Sequence, residues 1–473
     1  MKREILGRIG ELQAALDKLA ERHRVPGASL AILDGGQELE LVTGLANLAT
    51  AVEVTPATLF QIGSITKLYT ATLVMQLVDE GRLQLDQPLA TYLPGLRLRA
   101  PATAAAVTVA QLLNHTSGIV GDYFGDFGTG VECIERYVAA LAELEAAHRP
   151  GQLFSYSNGA FSVAGHLIEV LTGQPFHVAF DERLRRPLGL DQTTLLPEEM
   201  LAFRYAIGHE RAASGGALMP VTEVLLPRSG MPAGSHTSAT AADVLRFARM
   251  HLRGGRTAAG EQLLSPAAVT QMQRPTVAYP GEQGASWGLG WMLGDWNGAR
   301  VIGHRGATYG QMAFLFLLPE HEFGICLLTN GGGGARLWDE LGRWLFRELA
   351  GVQMVARPSV AGTGLAQPAQ DGRASGGSDH ALDLTRYTGR YERFANRYEL
   401  EVQDGALRMT VISSEPGEDG SPRHFRLEPL DATRFVTQVE ELAELVTFLE
   451  FDVTGRPGYL NFSSRAAARV DPD

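Results

Sequence analysis

Apolar positions recur at Ile5, Ile9, Leu12, Leu16 and Leu19, an alternating spacing that lays one apolar stripe along a helix. Residues 27–33, Gly-Ala-Ser-Leu-Ala-Ile-Leu, are mostly apolar and predict a buried strand; Gly35-Gly36 marks a turn into the alternating segment 38–43, a second strand. Helical periodicity dominates the next long stretch, at 68–80, 134–146, 161–171 and 241–252. Strand patterns return at 300–304, 311–318 and 323–329, and 338–349 predicts a closing amphipathic helix. Sheet-forming material therefore lies at both ends of a largely helical insertion. Such a chain most economically makes one sheet from its two ends and packs helices on the faces.

From 356 to 379 the pattern gives way to Pro, Gly, Ala, Ser and Gln with almost no large apolar residues, the composition of a linker. Beyond it the pattern is one of short strands, at 388–392, 398–402, 407–411, 425–427, 434–436 and 446–451, with turns at Asp404-Gly405 and Asp419-Gly420. These predict a small antiparallel barrel or sandwich. The expected division is a first domain over 1–352, a linker over 353–381 and an all-β domain over 382–473.

Composition narrows the function. The 473 residues are 45% hydrophobic and 20% charged, an ordinary globular balance. With 41 Lys+Arg against 53 Asp+Glu the net charge is −12, which argues against a nucleic-acid or anionic-membrane binder. Cys133 and Cys326 are too few for a disulfide framework and read as two buried free thiols. The twelve histidines show no paired ligand spacing, so neither a metal nor another cofactor is expected. No stretch approaches the ~18 consecutive apolar residues of a membrane span. The N-terminus carries charge where a secretory signal would need an apolar run. A cytoplasmic protein is the expectation.

Three segments carry candidate chemistry. In Gln61-Ile-Gly-Ser64-Ile-Thr-Lys67, a serine and a lysine three apart at a helix start share a face. A serine hydroxyl needs a base to become a nucleophile, and a lysine amine can serve once its pKa is lowered. In Ser155-Tyr156-Ser-Asn158, a tyrosine and an asparagine two apart precede a helix and can project into one cleft. A tyrosinate held beside the ammonium could share the base role with Lys67, and the Asn158 amide could hold a substrate carbonyl or fix the lysine. In Gly303-His304-Arg-Gly306-Ala307, Gly306 removes the side chain that would keep a ligand from the strand. The amide of Ala307 could pair with that of Ser64 as an oxyanion hole.

Together these segments resemble the serine β-lactamase and penicillin-binding-protein superfamily, whose signature is S-x-x-K, then Y-x-N, then K/H-T/S-x-G. The flanks resemble its class C β-lactamase, D-alanyl-D-alanine carboxypeptidase and family VIII esterase branch, through Phe60-Gln-Ile-Gly-Ser-Ile-Thr-Lys67, Leu112-Leu-Asn-His-Thr-Ser-Gly118, Pro187-Leu-Gly-Leu190 and His304-Arg-Gly306. The likeness spans roughly residues 10–350, and the C-terminal strands resemble the lipocalin-like appendage of some members. The resemblance implies an α+β, β-lactamase-like fold, with an antiparallel sheet flanked by helices and a mainly helical subdomain, followed by a small β-barrel. It also implies that Ser64 is acylated, that Lys67 and Tyr156 exchange its proton, and that Asn158, His304, Gly306 and Ala307 receive the substrate. His304 stands where many members carry Lys, and Arg305 where they carry Thr or Ser. That departure weakens the case for β-lactam turnover and favours esterase or peptidase chemistry.

The expectation is thus a serine hydrolase of small acyl or peptide substrates, an esterase or a D-amino-acid-directed peptidase; a protein that merely binds or slowly turns over β-lactams is one alternative, an idle scaffold another. The barrel is expected to cap the cleft or to mediate a homo-oligomer. Ser286 satisfies G-x-S-x-G but precedes a turn and strand rather than a helix. Asn330-Gly-Gly-Gly-Gly334 lacks the Lys-Ser/Thr of a phosphate loop and reads as a mobile turn. His115 is expected to pack beneath the site, and the loops 121–131 and 213–235 to set specificity.

Overall fold

The computed structural model describes residues 5–211, 216–355, 382–414, 420–439 and 442–470. The sequence-predicted linker lies almost entirely outside them. A nine-stranded antiparallel sheet is assembled from the two ends of the first domain: strand Gly27–Asp34 pairs with Gln37–Asn47 on one side and with Phe323–Thr329 on the other. From there the order runs through Gln311–Leu318 and Ala299–Thr308 to Met292–Trp296 and two short strands.

The mostly apolar run of the first strand follows from its central position, because both of its faces are covered. Leu30 and Ile32 face the terminal helices Ile9–Arg22 and Gly334–Leu345, in a layer with Leu12, Leu16 and Trp338. Ala31 and Leu33 face the helical insertion instead. The opening stripe is buried at Ile5, Leu12, Leu16 and Leu19, whereas Ile9 is exposed. Among the described residues no helix is long and apolar enough to cross a membrane. Both cysteines are buried and free.

Helix Thr66–Asp79 is buried from Thr66 through Leu77, so it runs through the domain core rather than along the surface. Helix Asn158–Thr172 starts on Ser157, whose hydroxyl accepts the Ala160 N–H at 2.9 Å, and stops at Gly173 with a left-handed φ of 71°. The predicted helix at 134–146 ends earlier, at Ala140, where a 3-10 turn takes over. The Asn330–Gly334 turn is firmly tied: Asn330 donates to the carbonyls of Leu45 and Ala46 at 3.0 Å, and Gly331 and Gly332 pack against backbone. The expected mobile turn is therefore a packed one.

The C-terminal domain is a closed eight-stranded barrel, sealed where Gly389–Arg393 pairs with Arg465–Val470. Its interior is filled by Tyr391, Tyr398, Leu407, Met409, Phe435 and Phe448. Two of its strands, Pro457–Phe462 and Arg465–Val470, escape the sequence pattern, since one opens on proline and the other is alanine-rich.

Candidate active site

Ser64 sits in a 3-10 turn, Gly63–Ile65, that runs directly into helix Thr66–Asp79 and puts Lys67 in the helix's first turn. Ser64 is partly exposed, while Lys67 is fully buried. The Lys67 Nζ lies 3.0 Å from Ser64 Oγ, 2.7 Å from Asn158 Oδ1 and 2.8 Å from the Ala233 carbonyl. Two of these neighbours can only accept. A neutral amine gives them its two N–H groups and is left with one lone pair, aimed at the serine hydroxyl. The orientation of the Asn158 amide is fixed independently, because its Nδ2 donates to the Asp122 carboxylate at 3.4 Å.

The electrostatics favour the same protonation state. Burial pushes Lys67 well below the ordinary lysine range, the Arg465 charge adds to the effect and Asp122 opposes it. Burial pushes the Tyr156 phenol well up, although hydrogen bonding to Ser64 and the Arg465 charge act against this. The expected tyrosinate is therefore disfavoured. A neutral phenol can donate to Ser64 Oγ while Ser64 donates to Lys67, forming a short directed chain.

Tyr156 is held from several sides. His115 stacks on its ring at 4.2 Å between centroids, and the His115 Nδ1 accepts the Ser157 N–H at 3.0 Å. This places His115 beneath the site, as the sequence led us to expect. The Lys67 Nζ lies 4.9 Å from the Tyr156 ring centroid.

The third segment lies on strand Ala299–Thr308. Its last residues run past the end of the neighbouring strand Met292–Trp296 and face the Ser64 turn. A Cβ on Gly306 would stand 2.0 Å from the Ile62 carbonyl and 3.1 Å from the Ser64 nitrogen, so only glycine permits this approach. Gly63, with φ +49°, is also close-packed: a Cβ there would stand 2.7 Å from the Ala307 nitrogen. The amides of Ser64 and Ala307 thus share one end of the cleft. His304 and Arg305 point to opposite faces, as alternation requires. The His304 Nδ1 donates to the Arg305 carbonyl at 2.5 Å, and burial takes its pKa down to about 3. His304 is thus a neutral ring rather than an anion receptor. Arg305 pairs with Glu282 at 2.9 Å and lies over the Phe316 ring.

The sequence-predicted residues therefore converge on one cavity of about 1110 Å3, lined by Ser64, Tyr156, Asn158, His304, Gly306 and Ala307 among others. Tyr123, Phe124 and Leu226 from the two flagged loops also line it. Ser286 lies instead on a two-residue strand, Ser286–Trp287, with no helix after it. No group of acidic, histidine or cysteine side chains fit to hold a metal occurs among the described residues.

Sequence reasoning missed four contributors. The Ala233 carbonyl has no signature in the letters. Asp122, 4% exposed, binds both Arg393 and Arg465 of the barrel. Only its place in the 121–131 loop hinted at a role, and the two arginines match no motif.

The beta-lactamase family profile matches residues 12–348, and the chain belongs to that family of serine-site proteins. Penicillin-binding protein 4 of Amycolatopsis lactamdurans is 40% identical over 80% of this chain and 97% of its own length. The crystal structure of SurE aligns over 99% of this chain and all of its own, with 28% identity and a TM-score of 0.78; a second SurE structure contains D-Leu. The D-amino acid amidase of Ochrobactrum anthropi SV3, in complex with L-phenylalanine amide, aligns over 70% of this chain and 96% of its own at 25% identity, with a TM-score of 0.58.

Proposed function

We propose that this chain is a serine acyl hydrolase that cleaves ester or amide bonds of small acyl or peptide substrates through an acyl-enzyme on Ser64. The observation that carries the reading is the buried Lys67 amine, whose Nζ is held by the Asn158 and Ala233 carbonyl oxygens and lies 3.0 Å from the Ser64 hydroxyl. In the first half-reaction Ser64 Oγ attacks the substrate carbonyl as its proton passes to Lys67 Nζ. The amides of Ser64 and Ala307 receive the developing oxyanion, where each preorganised donor is worth ~2.7–4 kcal/mol. The Tyr156 phenol, hydrogen-bonded to Ser64, is the donor for the leaving amine or alkoxide and is restored from Lys67. Water then repeats the sequence on the acyl-enzyme and releases the acid.

Among substrates, short peptides or amides with a D-residue are favoured over simple esters. The D-amino acid amidase and the SurE structure with D-Leu support that preference. The neutral His304 speaks against strong capture of a β-lactam carboxylate, although the likeness to a penicillin-binding protein makes acylation by penicillin a second reading.

A panel of D- and L-aminoacyl p-nitroanilides beside short-chain p-nitrophenyl esters tests both levels. Turnover that vanishes in a folded Ser64→Ala variant is expected, with faster release from the D-series. Activity that survives in Ser64→Ala removes Ser64 as nucleophile, and a preference for L-substrates removes the D-directed reading.

A further inference from the structure

The barrel reaches into the catalytic cleft at one point. Its last hairpin turns through Ser463 and Ser464, both with left-handed φ (49° and 69°), and delivers Arg465 beside Tyr156. The segment that bears Tyr156 is bound to this hairpin along its length. The Tyr156 N–H donates to the Ser464 carbonyl at 2.9 Å, the Ala466 N–H to Ser155 Oγ at 3.1 Å, and Asn461 Nδ2 to the Phe154 carbonyl at 3.4 Å. The hydroxyls of Tyr279 and Ser464 meet at 2.7 Å.

The Arg465 guanidinium lies 5.0 Å from the Tyr156 ring centroid. It also grips Asp122 with two bonds, Nε to Oδ2 at 2.7 Å and Nη2 to Oδ1 at 2.8 Å, while Arg393 donates to Oδ2 at 2.7 Å. The same carboxylate accepts from Asn158, whose carbonyl oxygen holds Lys67. An unbroken path therefore joins the barrel to the base: Arg465, Asp122, Asn158, Lys67, Ser64.

We propose that Arg465 is a positioning residue for the catalytic base, so that docking of the C-terminal barrel sets the geometry and charge in which Lys67 can take the serine proton. This rests on the acyl-hydrolase reading above and deepens it. The Arg465 charge beside a buried amine disfavours its ammonium form, and the Asp122 carboxylate opposes this only in part. The groups around Lys67 leave Arg465 as the main cation. His115 and His304 are both kept neutral by burial, Tyr156 is a neutral phenol, and Asp122 is already committed to the two arginines. A first domain without the barrel would keep every motif residue yet lose this charge and the clamp on Tyr156.

The test uses the full chain, with kcat/KM measured against pH on a p-nitrophenyl acyl ester and Ser64 labelled by a fluorophosphonate. In R465Q the acid limb is expected to move up by about one pH unit, with kcat/KM falling about tenfold at pH values below the wild-type limb. R465K, which keeps the charge, should restore the position of the limb. D122N/R465Q removes the Arg465–Asp122 pair as a unit, so it serves if R465Q does not fold. Arg465 outweighs Asp122 at Lys67, so the limb of the double variant should still lie above that of the wild type, by less than in R465Q. A limb that stays in place while activity falls makes Arg465 a mere docking contact and overturns the proposal. So does a rise in KM alone, which would make it a substrate contact. If the wild type neither turns over ester nor takes the label, it is the hydrolase reading that fails.

Discussion

Replacing Gly306 by alanine adds a single methyl at the closest approach between the substrate strand and the Ser64 turn. The new Cβ would stand 2.0 Å from the Ile62 carbonyl oxygen, roughly 1.4 Å short of the 3.4 Å at which ordinary van der Waals contact begins. Both partners are backbone, so no side chain can swing aside and the strand must move bodily away. The Ala307 amide rides on that strand, and a displacement of ~1 Å takes a hydrogen-bond donor out of range of the oxyanion. Loss of one such donor costs ~10²–10³ in kcat. The assay is steady-state hydrolysis of a p-nitrophenyl acyl ester, with the thermal transition followed in parallel. Gly95→Ala is the control, because a Cβ there meets nothing within 4 Å. A folded G306A enzyme with kcat within about threefold of wild type would refute the placement of the oxyanion hole at Ala307.

Other outcomes follow from the same structure. Lys67→Met should lose ~10²–10⁴ in kcat/KM. In the wild type, kcat/KM should rise with pH through a lysine pKa well below the ordinary ~10.4; an acid limb in the ordinary lysine range would contradict the neutral-amine base. His251, buried against Thr72, is pushed down to about 3 by burial. Its unfolded counterpart titrates near ~6.5, so the unfolded chain takes the proton first, and stability should fall as pH drops from ~6.5 toward 3 by up to ~1.4 kcal/mol per pH unit. Denaturant melts of H251Q across that window should show a shallower decline, and an unchanged slope would count against the buried neutral ring. Burial alone would raise the Asp122 carboxyl, but Arg465 and Arg393 together hold it below the usual range. Its stabilisation is therefore full above ~3.9 and lost as pH falls further. D122N takes the shared carboxylate from two partly buried guanidiniums and should cost ~1.5–3 kcal/mol at neutral pH by chemical denaturation. A loss under about 1 kcal/mol would mean that the cluster is effectively solvated.

The sequence by itself determined the order of the elements and the chemistry of three short segments. The doubly covered strand Gly27–Asp34 declares itself as a mostly apolar run, and helix Ala241–Leu252 and strands Gln311–Leu318 and Phe323–Thr329 fall where the patterns predict. Ser64 and Lys67 share a face because three residues make nearly one helical turn, a local relation that letters encode. The tertiary structure alone decided the rest. Which acceptors surround Lys67, and hence which proton it lacks, depends on a carbonyl at 233 and an amide at 158, far apart along the chain and joined only by folding. The two strands that the pattern missed, Pro457–Phe462 and Arg465–Val470, owe their conformation to closure of the barrel rather than to propensity. Their connecting turn carries Arg465 to Asp122, 343 positions away in sequence. Charge and desolvation act through space, so a chain read one residue at a time reveals the reacting groups but not the field that tunes them.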